Sequence, residues 1–285
     1  MASLQEVQSR ISSVNTTRKI TKAMELVSTS KLRKAKKNYE EVSSYSTRIE
    51  DIFHNLNTKI KDWNDIIKLD SSLPRVFIMI TSDLGLCGGY NNNIYKLFKE
   101  KVKPTDYIIV LGSKGSRFIT KNFNEENTLF KFEHIGDEPD YNVVLTITNK
   151  ISSMLFANKI NSIHLLDTKY VNSLTYVAED RKLFPFSKRD KESLSKNNQI
   201  NNSIEFEPNP QTVIKKALPL YLGALIYSAI ASSKVSEVSA RRIAMENATD
   251  NATDIIDYLE KEYNKARQAK ITQEITEIIA GAGNE

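Results

Sequence analysis

The sequence predicts an α/β fold with a long antiparallel coiled coil. N- and C-terminal helices form a shaft, and a small, mostly parallel α/β domain is inserted between them. Three observations carry this expectation. Ser3 to Lys59 contains neither proline nor glycine and repeats apolar side chains at helical spacing. Pro210 to Gly281 does the same, interrupted only by Pro219 and Gly223. Between them, short apolar runs alternate with helical patterns, as in a parallel sheet.

In the first segment, Ser3 and Glu6 match a capping box, in which hydroxyl and carboxylate satisfy orphan amides at a helix start. Leu4, Val7, Ile11 and Val14 then fall at seam spacing. The phase slips over Thr16 to Lys19 and resumes with Ile20, Met24, Val27, Ala35, Tyr39, Val42, Ile49, Ile52 and Leu56. At about 1.5 Å per residue such a helix is roughly 80 Å long, more than a globular domain buries, so it needs a partner along its length. The last segment supplies one. Asn209 and Pro210 suit a cap and first turn, Pro219 and Gly223 predict a kink, and Gly281 and Gly283 end the helix. Met245, Ala248, Ala252, Ile255 and Leu259 form its seam, with alanines allowing close approach.

In the middle, Arg75–Ile80, Tyr107–Leu111 and Ile163–Leu166 read as buried strands, with a further strand within Leu174–Phe184. Helices are expected over Asn92–Lys101, Ser113–Asn122 and Tyr141–Ala157. The domain expectation is a discontinuous shaft over 1–60 and 209–285, an α/β domain over 70–190, and an exposed Ser-, Asn- and charge-rich loop over 188–204.

Composition narrows the function. A single cysteine excludes an intrachain disulfide framework, and three scattered histidines fall at no metal spacing. MASLQEVQSR passes directly into a polar helical pattern, so no cleavable leader is expected. The most apolar stretch, Ala217 to Ala231, is shorter than a membrane span and reads as a buried helix. Charge is uneven. Arg18 to Lys37 holds eight basic residues against the single acid Glu25, which exceeds the net +5 of the chain. Such a run serves as a solvated face, a nucleic-acid grip or a docking surface for an acidic partner. With few acids at i,i+4 its charge points outward, and no binding fold for nucleic acid accompanies it.

Ser82-Asp-Leu-Gly-Leu-Cys-Gly-Gly-Tyr-Asn91 occupies the strand-to-helix position of a nucleotide loop. A phosphate-binding loop there needs Lys followed by Ser or Thr after its last glycine, and Tyr90-Asn91-Asn92 stands instead. A structural turn is therefore expected. Cys87 lacks a histidine partner, and Asp83, Asp140 and Asp167 read as turn and cap residues. No catalytic, cofactor or metal site emerges.

Ile11 to Lys34 (ISSVNTTRKITKAMELVSTSKLRK) resembles the N-terminal signature of the gamma subunits of F-type rotary ATP synthases. Ser236-Glu237, Arg241, Ala244 to Thr249, Asn251-Ala252 and Tyr263 to Ile279 resemble the C-terminal one. Ser82 to Asn91 is similar to the family's central loop, and Phe206 to Pro210 to the entry of its last helix. The resemblance implies a non-enzymatic axle without cofactor, turning inside a ring of alternating catalytic and non-catalytic subunits. It also implies contacts to an epsilon subunit and a proton-driven membrane rotor ring, at the cytoplasmic face of the cell membrane. By the same resemblance, Met24, Lys31 and Arg33 meet acidic loops of the ring, and Cys87 approaches the same region. Arg267, Gln268 and Thr272 engage a catch loop, while Ile271, Ile275, Ile278 and Ile279 fill an apolar bearing. No part of 188–204 matches, so an axle of a specialised ATPase motor without a proton channel stands as the alternative. A basic nucleic-acid binder and a nucleotide-dependent enzyme are the readings from other classes.

Overall fold

The computed structural model describes residues 4–58, 67, 70–137, 140–185, 207 and 209–282. Its elements are α1 (Leu4–Thr58), β1 (Arg75–Ile80), α2 (Tyr90–Lys101), β2 (Tyr107–Leu111), α3 (Ser113–Asn122), β3 (Thr128–Phe132), α4 (Tyr141–Phe156), β4 (Ser162–Tyr170), β5 (Tyr176–Phe184) and α5 (Pro210–Ala282). One sheet runs β3-β2-β1-β4-β5. The first four strands are parallel and β5 is antiparallel to β4. The α/β fold with long terminal helices is as expected. Ser3 and the 188–204 segment lie outside the described residues.

The chain forms two compact units, Met1–Ser30 with Arg241–Glu285, and Lys31–Ala240. In the second, alternate strand residues feed two cores. Val76, Ile78, Ile80, Ile109, Leu111, Ile163 and Leu165 pack toward α4 and α5, against Val144, Ile147, Ile151, Leu218, Leu222 and Ile226. Phe77, Met79, Ile108, Val110 and Leu166 pack toward α2 and α3, against Ile94, Phe98 and Ile119. Burial on both faces explains why β1 and β2 read as unbroken apolar runs. It also explains the apolar middle of α5, whose Leu218, Leu222, Ile226 and Ile230 belong to the core.

The two long helices run antiparallel in this unit. Lys31 of α1 and Lys234 of α5 share the Asp137 carboxylate, at 2.7 and 3.3 Å. Further along α1, Phe53 stacks on Tyr221 of α5 at 4.3 Å, so numbering rises on one helix as it falls on the other. Asn209 caps α5 by accepting from the Thr212 amide at 2.9 Å. The helix runs uninterrupted through Pro219 and Gly223. Gly223 is a packing residue, since a Cβ there would lie 3.3 Å from the Tyr141 hydroxyl of α4.

In the first unit, Met245, Ala252, Ile256 and Leu259 are buried, and Thr249 of α5 donates to Thr21 of α1 at 2.9 Å. Here the seam differs from expectation. The inward positions of α1 follow 4, 7, 11, 14, 18, 21, 25 and 28 without any slip, then 32, 35, 39, 42, 46, 49 and 53. Arg18, Thr21, Glu25 and Ser28 occupy seam positions, whereas Ile20, Val27 and Ile52 are exposed. On α5 the inward residue is Ile256, and Ile255 faces out. The heptad is intact, but polar side chains fill it where apolar ones were expected.

Candidate functional site

The loop after β1 lies where a parallel sheet places ligands, at the carboxyl ends of its strands. Thr81 ends β1 by donating its amide and hydroxyl to Leu111 O, at 2.8 and 3.0 Å. Gly112 follows β2 at φ 108°, and a Cβ there would sit 2.3 Å from Thr81 O. This close approach brings the Asp83 carboxylate onto the N-terminus of α3. Asp83 Oδ1 accepts from the Ser113 amide, the Ser113 hydroxyl and the His134 amide, each at 2.9 Å. Its Oδ2 accepts from the Gly136 amide at 3.4 Å. Burial opposes the charge, but these donors from Ser113, His134 and Gly136 hold the pKa below the usual carboxylate range. The helix terminus that would cradle a phosphate is thus filled by the chain's own anion.

The other half of the loop is equally closed. Asn91 accepts from the Ser82 amide at 3.1 Å and donates to the Ser82 hydroxyl at 2.7 Å and to Cys87 Sγ at 3.4 Å. Tyr90 is buried with Cys87 and Ala240. A nucleotide titrated into the purified chain by calorimetry should give no stoichiometric binding, and tight ATP binding would contradict the plug.

Cys87 is buried in this chain, at 3% exposure. What the loop presents outward is Leu84, at 68%, and Leu86, at 61%. Leu86 and Gly88 take positive φ, of 61° and 55°, which turns the loop and tucks the cysteine beneath it. The sequence marked the loop but not the sidedness of its residues.

Met24, Arg267, Gln268, Thr272 and the four isoleucines belong to the first unit, Lys31, Arg33 and Cys87 to the second. Met24 is half-buried beside Glu25, which pairs with Lys22 at 3.0 Å. Arg33 is exposed. Lys31 is exposed too, but its ammonium is engaged by Asp137. This pairing, and Lys234 opposite it, hold the Asp137 pKa down. Arg267, Gln268, Thr272, Ile271, Ile275, Ile278 and Ile279 are all exposed, and Ile278 reaches 70%. The isoleucines recur at i, i+4, i+7 and i+8, which places them on one helix face. Among the described residues, no three His, Cys, Asp or Glu side chains form a metal-binding group.

A different buried acid lies on β4. Asp167 is 1% exposed, and its Oδ2 accepts from Arg181 Nη2 at 3.1 Å. Its pKa is pushed up to about 6, chiefly by burial, with Arg181 opposing and Glu179 adding to the rise. Tyr90 of α2 also feels its charge. Between the ordinary value near 4 and about 6, the folded chain keeps a proton that the unfolded chain releases. This group therefore contributes stability at low pH that is lost as pH rises through that window. Asp167→Asn should melt higher than the parent above pH 6, by up to ~3 kcal/mol of stability, with the gap closing toward pH 4. Parallel melting curves of parent and variant between pH 4 and 7 would contradict this assignment.

A family profile described as ATP synthase matches residues 3–284. The ATP synthase gamma chain of Mycoplasma mobile is 43% identical, covering 100% of both chains. That of Mycoplasmopsis synoviae is 40% identical over 99% of both. The chain belongs to the ATP synthase gamma-chain family. As a gamma-type chain it is a non-catalytic, central rotor subunit and part of a membrane-associated complex. Among solved structures, the rotor of the Euglena gracilis mitochondrial ATP synthase superposes with a TM-score of 0.68. It is 18% identical and covers 94% of this chain and 98% of that one, so the two share a fold at low sequence identity.

Proposed function

We propose that this gamma-type chain turns inside a ring of alternating catalytic and non-catalytic subunits through two surfaces of its own. The carrying observation is the α5 tail, in which Arg267 to Ile279 is exposed throughout while the helix before it is buried on one face. Arg267, Gln268 and Thr272 supply hydrogen bonds to a catch loop, and Ile271, Ile275, Ile278 and Ile279 sit in an apolar bearing. An exposed apolar stripe on an isolated subunit supports this reading, because such stripes are covered in assemblies. The second surface is the basic stretch of α1, with Met24, Lys31 and Arg33 facing acidic loops, and the loop of Cys87 approaches the same region with Leu84 and Leu86 outward.

Charge attraction of this kind steers and orients rather than clamps, which suits a surface that must release on every turn. In this reading the shaft comprises residues 1–60 and 209–285, and the 70–190 domain meets the epsilon subunit and the membrane rotor ring. The chain then works at the cytoplasmic face of the cell membrane as a peripheral component. Its solved neighbours include a Euglena gracilis assembly described as OSCP/F1/c-ring. Affinity purification from native cells should recover ring subunits and a membrane rotor ring in fixed stoichiometry. Recovery of the ring without any membrane component would favour the specialised motor instead.

A further inference from the structure

We propose that four serines of α5 form the joint through which the shaft helix turns the sheet, an inference that rests on the rotor reading. β4 outruns its parallel neighbour. Pairing with β1 ends at Met79 and Leu166, so among the described residues the β4 edge beyond it has no strand on that side. Buried backbone groups there need other partners. Ser233 Oγ accepts from the Thr168 amide at 3.1 Å, and Ser232 Oγ from the Tyr170 amide at 3.0 Å. Ser236 Oγ donates to Thr168 O at 3.2 Å, and Ser239 Oγ donates to Ser173 O at 2.6 Å. One face of a helix thus completes the ladder that a strand would have made. All four serines are buried.

Apolar contact is non-directional and lets a helix creep over a sheet, whereas hydrogen bonds lose strength within a few tenths of an ångström and with modest rotation. The ladder therefore resists both sliding of α5 along the sheet and twisting about its own axis, the two motions torque imposes. Tyr90 adjoins the same face through Ser233, and Glu237 beside it pairs with Lys234 at 3.3 Å. The four serines are positioning residues.

The test uses the assembled complex in inverted membrane vesicles, with Ser232→Ala combined with Ser236→Ala, and separately Ser239→Ala. ATP hydrolysis should stay close to that of the parent while ATP-driven acidification falls severalfold, and Ser232→Thr should keep acidification. Amide exchange of the purified chain should show Thr168 and Tyr170 protected, with protection of Tyr170, whose acceptor is Ser232, reduced about fivefold or more in the double variant. Rapid exchange of those amides in the parent would overturn the joint even if no variant assembles. So would unchanged acidification, or acidification and hydrolysis falling in proportion. If the parent vesicles show no acidification dependent on this chain, the rotor reading fails, and the exchange data separate that failure from a missing ladder.

Discussion

Gly112→Ala should destabilise the chain by roughly 3–6 kcal/mol, combining the cost of a positive φ with that of overpacking. The glycine sits at φ 108° with ψ 137°, a region closed to side chains. The added carbon would lie 2.3 Å from a backbone oxygen, Thr81 O, which no rotamer change relieves. Relief requires separating β1 from β2 at the Thr81–Leu111 bond, and with it Asp83 from the α3 amides. A melting temperature lowered by roughly 10 °C or more is expected. Gly89→Ala provides the contrast, since its Cβ would meet only Asn93 at 3.9 Å and φ is −80°. Equal melting of the two variants would mean that the strand ends are looser than described.

Removal of residues 271–285 should leave the melting temperature of the isolated chain unchanged and weaken it as an axle. No described side chain from Arg267 to Ile279 is buried, so the deletion takes away helix but no core. In the complex the same isoleucines are worth up to roughly 1.5–3 kcal/mol each if their apolar surface is fully covered. The truncated complex should therefore keep nucleotide hydrolysis at a reduced rate and lose most ATP-driven acidification. Unfolding of the truncated chain alone would place the tail in the core. Full acidification would remove the bearing from the proposal.

The fold was legible because its period signals were strong. Two buried strands read as Arg75–Ile80 and Tyr107–Leu111 at their observed bounds, and the helix Ser113–Asn122 did likewise. β3 was not seen, because Thr128–Phe132 is an edge strand whose residues are all half-buried and show no clear alternation. β4 extends to Tyr170 because its antiparallel pairing with β5 runs out to Tyr170 and Tyr176, while α5 serines bond its other edge from far away in sequence.

The seam was misread for a related reason. Thr21 and Ser28 sit inward because thread-like packing of two helices accepts small polar side chains, while Ile20, Leu26 and Val27 face out. An apolar search follows the wrong residues there. The absence of a phosphate loop was legible from Tyr90-Asn91-Asn92, but the Asp83 plug that explains it joins residues from three separate segments. Cys87 carried no sequence cue to its burial.

The most direct test of the account is to watch this chain move. With the catalytic ring fixed to a surface and a rod attached to an exposed residue of the sheet domain, such as Lys121, ATP should drive unidirectional, stepwise rotation. The same preparation carrying the 271–285 deletion should turn with less torque, slowing more steeply as the rod is lengthened. Sustained ATP hydrolysis by a ring containing this chain, with the rod showing only undirected fluctuation, would contradict its role as the rotor.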